Sequence, residues 1–332
     1  MNVPRRRFLQ GALSCTGYLL GSLSLLPAVS RRAFAATPTK RVVAEEDFAR
    51  IEQVADGVWA VISTPLKDGG RHFTTTSNGG IIAGRDGILV VEGFYSNEGA
   101  AWLAGHVREL TGREPTHAVV THHHADHTRG LGGLRSGRSD EAGPLRMLTT
   151  PTTRGLLVGN EKEQEEAAVL PEAGIDDEGD GVEIDLGGKR VRLVPRRGHT
   201  ASDVTVQLEK PKVVWCGDLV WNGLFPNYVD AIPSHLTRHC EEILGKAGTT
   251  YVPGHGDLGD AAGLDSYLGL ILDLEHAARK AVEQGTPAAE AAEAYRIPES
   301  LGEWTMFSPD YFERAFLAWE RELTETQAGR DS

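Results

Sequence analysis

Histidine and aspartate side chains crowd one short segment of this chain at a spacing suited to metal binding. Residues 121–127 carry the pattern His-x-His-x-Asp-His directly after the apolar run 118–120. A strand that ends in such a cluster presents ligands at the mouth of a sheet, and imidazole with carboxylate suits zinc or another borderline divalent ion. A surface histidine tract would lack both this strand and the glycine-rich turn at residues 129–133. The pattern therefore predicts a metal centre.

Three more candidate ligands stand at turns that follow β-like runs further along the chain. His199 follows Gly198, Asp218 follows Gly217, and His255 lies between two glycines. Small residues beside each candidate ligand suit a strand-to-helix turn, where the backbone must approach a metal or another ligand closely. Four such turns, in this order, indicate one shared site.

Through these turns the sequence resembles the metallo-β-lactamase-fold hydrolase superfamily over residues 51–274. The resemblance implies an α/β fold, an αββα sandwich of two β-sheets flanked by helices, with metals at one edge of the sandwich. The family usually has an aspartate at the end of an early strand, whereas this chain has Glu92 there. That departure concerns a residue that supports the site, so it bears on local geometry more than on metal binding.

The resemblance also implies a ligand set for two divalent metal ions, zinc in the first place, with iron or manganese as alternatives. One ion takes His122, His124 and His199, the second takes Asp126, His127 and His255, and Asp218 bridges the two. In the implied mechanism a metal-bridging hydroxide attacks a carbonyl-type centre of an ester, lactone, thioester or amide. Asp126 is the catalytic residue, orienting the nucleophile and shuttling its proton. His123 is expected to point away, since neighbouring side chains of an extended segment face opposite sides.

Candidate substrate contacts are Arg129, where the family usually has glycine, and Trp221, where its β-lactamases and lactonases often have lysine or tyrosine. Arg129 either reaches the cleft or forms a salt bridge with a neighbouring carboxylate. Trp221, Phe225 and Tyr228 either wall an apolar pocket or pack as core beneath a long loop. Residues 67–73 lie between two hairpin strands and are a candidate flap over the metals.

Two alternative functions stay open beside the general hydrolase. One is a β-lactam-hydrolysing metallo-β-lactamase, although zinc β-lactamases of the most similar type have cysteine at the position of Asp218. The other is a non-catalytic periplasmic metal-binding or accessory protein. The complete ligand set favours an enzyme, because degenerate binders usually lose ligands.

Residues 1–35 are predicted to be a signal peptide of the twin-arginine type. Arginines at positions 5–7 precede an apolar stretch, and Ala-Phe-Ala at positions 33–35 is a small-residue cleavage site. An ordinary secretory signal and a membrane anchor are the alternatives. The twin-arginine interpretation predicts a periplasmic or secreted bacterial protein with no stable membrane insertion after cleavage.

Charge and cysteine content narrow the partners and the compartment. Cleavage would remove five arginines and no acidic residue, which takes the formal net charge from −13 to −18. Such a surface repels polyanions, and no basic groove with interleaved aromatics is visible, so the expected partner is a small molecule and not a nucleic acid. Cys216 and Cys240 either pair or remain buried thiols, and the apolar run before Cys216 favours thiols.

The sequence divides into four predicted segments. These are the signal peptide 1–35, a linker 36–50, the catalytic domain 51–275 and a C-terminal helical extension 276–332. Apolar residues at helical spacing predict helices over 100–110 and 264–283. Thr286-Pro287 and Ser308-Pro309 are expected to start two further helices.

Overall fold

The computed structural model of the protein describes residues 41–67, 72–159, 169 and 171–328. The predicted signal peptide lies outside the described residues. Residues 36–40 of the predicted linker and residues 68–71 of the candidate flap do so as well. Within the described part of the chain, no helix is long and apolar enough to cross a membrane.

The first sheet has eight strands that follow one another in chain order. They are β1 (Arg41–Glu45), β2 (Ala49–Ala55), β3 (Val58–Ser63), β4 (Gly79–Ala83), β5 (Ile88–Val91), β6 (His117–Val119), β7 (Arg146–Thr149) and β8 (Glu172–Ala173). Strands β1 to β5 pair antiparallel, and β5 to β8 pair parallel. The predicted linker therefore differs from the structure over residues 41–50, where β1 pairs with β2 as the edge of this sheet.

The second sheet has five strands in the order β13-β12-β11-β10-β9. They are β9 (Val182–Asp185), β10 (Arg190–Arg196), β11 (Asp203–Leu208), β12 (Val213–Asn222) and β13 (Thr250–Gly256). The three pairs from β9 to β12 are antiparallel, whereas β12 and β13 run parallel.

Seven α-helices accompany the sheets within the described residues. They are α1 (Asn97–Thr111), α2 (Ala125–Thr128), α3 (Pro151–Gly159), α4 (Pro233–Ile243), α5 (Asp265–Glu283), α6 (Ala288–Ala294) and α7 (Tyr311–Ala328). The predicted helix 100–110 lies within α1, which begins after Ser96, whose side chain accepts a hydrogen bond from the Gly99 backbone. The two later helices begin after the predicted prolines. For α6 the reason is that Pro287 has extended backbone dihedrals, so it precedes the first helical residue.

The packing of strand β3 explains why both faces of the first sheet are apolar. Val58, Ala60 and Ile62 lie in the core between the two sheets, while Trp59 and Val61 lie in the core beneath α1. Side chains alternate across a strand, so a strand covered on both faces becomes a continuous apolar run. The expected αββα sandwich is confirmed.

The C-terminal helices cover the outer face of the second sheet. Trp319 of α7 and Tyr267 of α5 are fully buried there, in one cluster with residues of β12 and β13. The predicted domain boundary at residues 275–276 falls inside α5. Cys216 and Cys240 are free thiols buried in the same cluster, as the thiol interpretation expected.

Candidate metal centre

The candidate ligands come from both sheets and meet at one edge of the sandwich. In the first sheet, β6 is followed by the histidine-rich segment, and α2 begins directly after His124. In the second sheet, His199 follows β10, Asp218 lies within β12, and His255 lies within β13. Pairing of β12 with β13 brings the strands that carry Asp218 and His255 together.

Asp218 lies at the centre of the candidate ligands. One of its oxygens, Oδ1, is 3.1 Å from Nε2 of His127. The other, Oδ2, is 3.3 Å from Nε2 of His255 and 3.7 Å from Nε2 of His199. Nε2 of His122 is 3.9 Å from the same oxygen. The single carboxylate therefore faces histidines that the sequence assigned to two different metal ions.

The candidate ligands make up two of the three groups, among the described residues, whose possible ligand atoms lie within 4.8 Å of one another. The first group is His122, His124, His199 and Asp218, and the second is Asp126, His127 and His255. Seven of the nine predicted site residues are thus brought together, in the grouping that the resemblance implied. Whether they bind metal stays a prediction.

The hydrogen bonding of these side chains fits metal ligands. Both ring nitrogens of His199 are buried without a hydrogen-bond partner, and so is Nε2 of His122. Orphaned buried polar atoms are costly, and several together are expected only where an ion or ligand completes them. Imidazole with carboxylate is the donor set of zinc and similar divalent ions.

Electrostatics divide the histidines into two kinds. Burial lowers the pKa of His199 to about 3 and holds the pKa of His122 well below its ordinary value. Burial also opposes protonation of His255, but the carboxylates of Asp218 and Asp126 outweigh it and raise the pKa to about 9. Burial opposes protonation of His127 as well, but nearby carboxylates, chiefly that of Asp218, hold its pKa well above the ordinary value. In the metal-free chain, protons on His127 and His255 offset the carboxylate charge that a metal would otherwise balance.

Glycine is required where β12 and β13 approach each other at the site. A Cβ atom on Gly254 would lie 1.9 Å from Oδ1 of Asp218, so no residue with a side chain fits at this position. Gly217 has a φ of 54°, in the left-handed region, at the register shift that precedes Asp218. These two glycines let the carboxylate turn towards the histidines.

Glu92 supports two of the histidines from beneath. It accepts hydrogen bonds from the Thr121 hydroxyl at 2.5 Å and the Thr121 backbone at 3.3 Å, and it lies 3.1 Å from Nδ1 of His127. Nδ1 of His122 is 3.0 Å from the same Thr121 hydroxyl. A partner on Nδ1 fixes the ring and leaves Nε2 as the ligand atom. Glutamate therefore serves at the position where the family usually has aspartate, with a φ of 76°.

Residues 77 and 78 join the two sheets around the ligands. The Ser77 hydroxyl donates to the backbone carbonyl of Asp126 at 2.6 Å. The Asn78 side chain donates to the carbonyls of Pro253 and Gly256, on either side of His255, at 2.9 and 2.7 Å. Sequence reasoning missed this link, although Ser-Asn-Gly before an apolar strand is a turn signal that marks the segment.

Asp230 is a second residue that sequence reasoning missed. Its Oδ2 lies 2.8 Å from Nε2 of His124 and 3.7 Å from Nε2 of His123. His123 was expected to point away, and it does lie outside the two ligand groups, but it shares a carboxylate with His124. Burial, followed by the neighbouring His124, lowers the pKa of His123 to about 4. No motif singled out Asp230 in its loop.

The two predicted substrate residues lie in different surroundings. Trp221 is buried, with its ring centroid 4.0 Å from that of His255. Arg129 donates from Nη1 to the Tyr95 hydroxyl at 2.8 Å, and its guanidinium lies 4.9 Å from the centre of the Tyr95 ring. Phe225 and Tyr228 are fully buried in the core, so the core alternative applies to them.

Comparisons with known proteins agree with this architecture. A family model described as the metallo-beta-lactamase superfamily matches residues 74–263, more than half of the chain. The metallo-beta-lactamase type 2 of Bacillus cereus is 24% identical over 252 residues, covering 73% of this chain and 90% of that protein. The hydroxyacylglutathione hydrolase of Mesorhizobium japonicum is 23% identical over 210 residues, covering 63% of this chain and 71% of that protein.

One solved structure illustrates the likeness of fold. The metallo-beta-lactamase from Pontibacter korlensis superposes with a TM-score of 0.55 at 21% sequence identity. The match covers 68% of this chain and 99% of that chain. At this level of identity the likeness concerns the fold alone.

Proposed function

This chain belongs to the metallo-β-lactamase superfamily, whose members are mostly metal-dependent hydrolases, and we propose that it is itself a dinuclear metallohydrolase. The proposal rests chiefly on one observation, the position of Asp218 between the two histidine groups. A carboxylate with oxygens facing both groups is suited to bridge two ions. Zinc is the first expectation, with iron or manganese as alternatives.

The side chains of this protein would divide the work between binding and proton transfer. Two divalent ions held by these side chains would lower the pKa of a bound water molecule and polarise the substrate carbonyl. Asp126 would orient the nucleophile; its side chain is 23% exposed, more than that of His127 or Asp218. Burial opposes its ionisation, but His127 and His255 lower the pKa of Asp126 to about 2. The carboxylate is therefore ionised at neutral pH, as a metal ligand and a hydrogen-bond acceptor for the nucleophile must be.

The substrate in this proposal is a neutral or weakly charged ester, lactone, thioester or amide. From Leu219 to Thr237, the segment that follows Asp218, the sequence contains no lysine or arginine. A phosphorylated substrate would lose its hydration without gaining a cation other than the metals. The thioester option is supported further by the relative named hydroxyacylglutathione hydrolase.

A β-lactam is a second candidate substrate. It is favoured by the relative from Bacillus cereus, which is named a metallo-beta-lactamase and is covered over 90% of its length. Asp218 and Trp221 stand where the family's zinc β-lactamases usually have other residues, so we rank this candidate below the general hydrolase.

Metal analysis with a substrate panel tests the proposal. Protein purified without chelator should contain close to two metal ions per chain, and it should hydrolyse at least one of a set of chromogenic esters, lactones, thioesters and nitrocefin. Removal of metal should abolish that activity and re-addition should restore it. One ion per chain would contradict the dinuclear mechanism, and two ions without hydrolysis would favour the non-catalytic metal-binding protein.

We also propose that residues 1–35 direct export by the twin-arginine route, so that the mature protein begins near Ala36. The support is the order of arginines, apolar stretch and small-residue site in the sequence. Lysine substitutions at Arg5 and Arg6 should leave the protein in the cytoplasm, whereas lysine substitutions at Arg31 and Arg32 should not. Export of both variants, measured by cell fractionation, would contradict this route.

A further inference from the structure

A cavity of about 270 Å³ lies directly beside His255. Pro65, Leu66, Leu224 and Phe307 line it together with the His255 ring, and its wall is mostly apolar. A cavity of roughly 150 Å³ between apolar side chains is enough to hold a benzene molecule. The space is therefore large enough for an aromatic ring or a short alkyl chain next to a candidate metal ligand.

Three polar side chains around this cavity are engaged with other partners, whereas the hydroxyl of Thr76 is buried without one. Lys67 is ion-paired with Glu45 at 3.0 Å. The hydroxyl of Ser63 lies 2.8 Å from that of Thr75, and the hydroxyl of Thr64 donates to a backbone carbonyl at 2.9 Å. A charged group that entered the cavity would lose its hydration without a matching partner. An uncharged apolar group would gain from burial.

Phe307 brings the C-terminal segment into this site. Its ring centroid lies 6.0 Å from that of His255 and 6.1 Å from that of Trp221. Phe307 lies outside residues 74–263, which the family model matches. So do residues 63–67, which also line the cavity, and much of its wall therefore comes from parts of the sequence that the family model does not cover.

Backbone hydrogen bonds fix the position of Phe307. The Phe225 amide donates to the Thr305 carbonyl at 2.9 Å, and the Thr305 amide donates to the Gly223 carbonyl at 3.1 Å. This short bridge ties the segment to the loop that follows β12, the strand that carries Asp218. Phe307 follows Thr305 of this bridge by two residues, so the bridge fixes the position of Phe307 in the cavity wall.

A strained turn on the opposite wall is an independent sign of function. Thr76 lines the cavity with a φ of 65°, and the Ser77 amide donates across it to the Thr75 carbonyl at 2.8 Å. A β-branched residue with positive φ is a genuine outlier, and a γ-turn of this hand is rare and strained. Strain of this kind clusters at ligand-binding sites and persists only where the surroundings enforce it. Here the hydrogen bonds of Ser77 to α2 and of Asn78 to β13 enforce it.

We propose that this cavity is a substrate subsite for an apolar substituent, and that Phe307 sets the largest substituent it accepts. The inference rests on the proposed function, because it places the substituent beside the reacting centre. It goes further by naming the chemistry recognised and by giving the C-terminal segment a part in specificity.

Binding of 1-alkanols of increasing length to the metal-loaded protein, measured by calorimetry, tests the subsite without requiring turnover. The dissociation constant should fall about fourfold for each added methylene, equivalent to about 0.8 kcal/mol, until the cavity is full. Phe307→Ala should move that limit by at least two carbons towards longer chains, and Phe307→Trp should move it towards shorter ones. Phe307→Leu serves as a milder variant if the alanine variant does not fold.

Met306→Ala is the matched control, since Met306 is the chain neighbour of Phe307 and is 38% exposed. It should retain the wild-type length limit. An unchanged limit in all Phe307 variants, with metal content equal to wild type, would overturn the proposal. A limit that moves equally in the Met306 variant would also overturn it, because the effect would then be general loosening of the segment.

Two ester series identify the side of the scissile bond that occupies the subsite. In one series the acyl chain varies at constant leaving group, and in the other the alcohol varies at constant acyl group. The series whose length limit follows the Phe307 variants identifies the occupant. Length-dependent alkanol binding without hydrolysis of any ester would support the subsite and contradict the hydrolase proposal. Hydrolysis with a length limit that is the same in all Phe307 variants would support the hydrolase proposal and contradict the subsite.

Discussion

Nε2 of His124 lies 2.8 Å from Oδ2 of Asp230, which leaves the other ring nitrogen, Nδ1, as the one that could bind a metal ion. The hydrogen bond to His124 is the main cause that lowers the pKa of Asp230. An ionised carboxylate on one ring nitrogen fixes the tautomer and makes the opposite nitrogen a better ligand. We therefore expect Asp230 to act as a positioning residue for His124.

Replacing Asp230 by alanine should weaken binding of one metal ion by about 10- to 100-fold, the usual effect of losing a partner behind a ligating histidine. Competition with a chromogenic chelator measures this affinity. Asp230→Asn keeps an acceptor oxygen and should restore part of it. Asp257→Ala, at a carboxylate whose side chain is 76% exposed and paired with Arg50, is the control and should bind metal as wild type. Equal affinity in the Asp230→Ala variant and the control would contradict the assigned role.

Asp218→Asn tests the bridge itself. Loss of the central charge should release one of the two metal ions and reduce kcat/KM by about 100-fold or more, because no other carboxylate faces both histidine groups within the described residues. The sandwich core does not depend on this side chain, so the circular dichroism spectrum should resemble that of Asp257→Asn. Retention of two ions and of turnover would show that Asp218 does not bridge.

The sequence singled out the side chains that the fold brings together, because their types and spacing are local. His122, His124 and His127 follow one strand, and the flanking glycines of His199 and His255 mark turns that the sheets then bring together. Asp230 and Phe307 could not be found in this way, since they lie in loops without motifs and reach the site through tertiary contacts alone. Likewise β1 reads as linker because it is an edge strand with largely exposed residues, so its sequence lacks an apolar pattern.

The pH dependence of the metal-free protein should carry the signature of the two kinds of histidine. His199 and His122 have lowered pKa values, so the stability they contribute is lost as pH falls below about 6.5, where the unfolded chain takes up more protons. His255, raised to about 9 by the carboxylates against burial, contributes stability that is full below about 6.5 and is lost as pH rises through about 9.

The free energy of unfolding of the metal-free chain should therefore peak near pH 6.5 and fall on both sides, by on the order of a few kcal/mol. Metal replaces the protons between the carboxylates, so the loaded protein should lose the alkaline decline. Urea titrations from pH 5 to 9.5, with and without chelator, measure both curves. If the curves measured with and without chelator ran parallel above pH 6.5, they would contradict the raised pKa of His255.

Thr76→Gly should separate stability from function. Glycine adopts a positive φ freely, so removal of strain worth about 1 to 3 kcal/mol should outweigh the loss of about 0.5 to 1 kcal/mol from greater freedom in the unfolded chain. The free energy of unfolding should rise by roughly 1 kcal/mol while kcat/KM falls, because the cavity loses one wall. Thr76→Ser keeps both the strain and the hydroxyl and should change stability less. A destabilised glycine variant would show that the turn is not strained.

Charge selectivity should follow from the absence of cations in the segment after Asp218. On matched esters, the neutral compound should be preferred over the phosphorylated one by at least about tenfold in kcat/KM, since a desolvated phosphate meets no side-chain cation there. Arg129 is the nearby cation that would relax this for a single carboxylate. Arg129→Ala should then reduce turnover of a mono-carboxylate ester by about 10- to 100-fold and leave the neutral ester unchanged.

Arg135→Ala is the control, because Arg135 follows Arg129 closely in the chain and is exposed; this variant should hydrolyse both esters as the wild type does. A preference for the phosphorylated ester in the wild type would contradict the selectivity argument. Equal losses on both esters in the Arg129 variant would instead assign Arg129 to holding Tyr95, whose ring and hydroxyl it contacts. A loss confined to the carboxylate would identify it as a substrate anchor, and nitrocefin, which carries a carboxylate, would then become the substrate to test first.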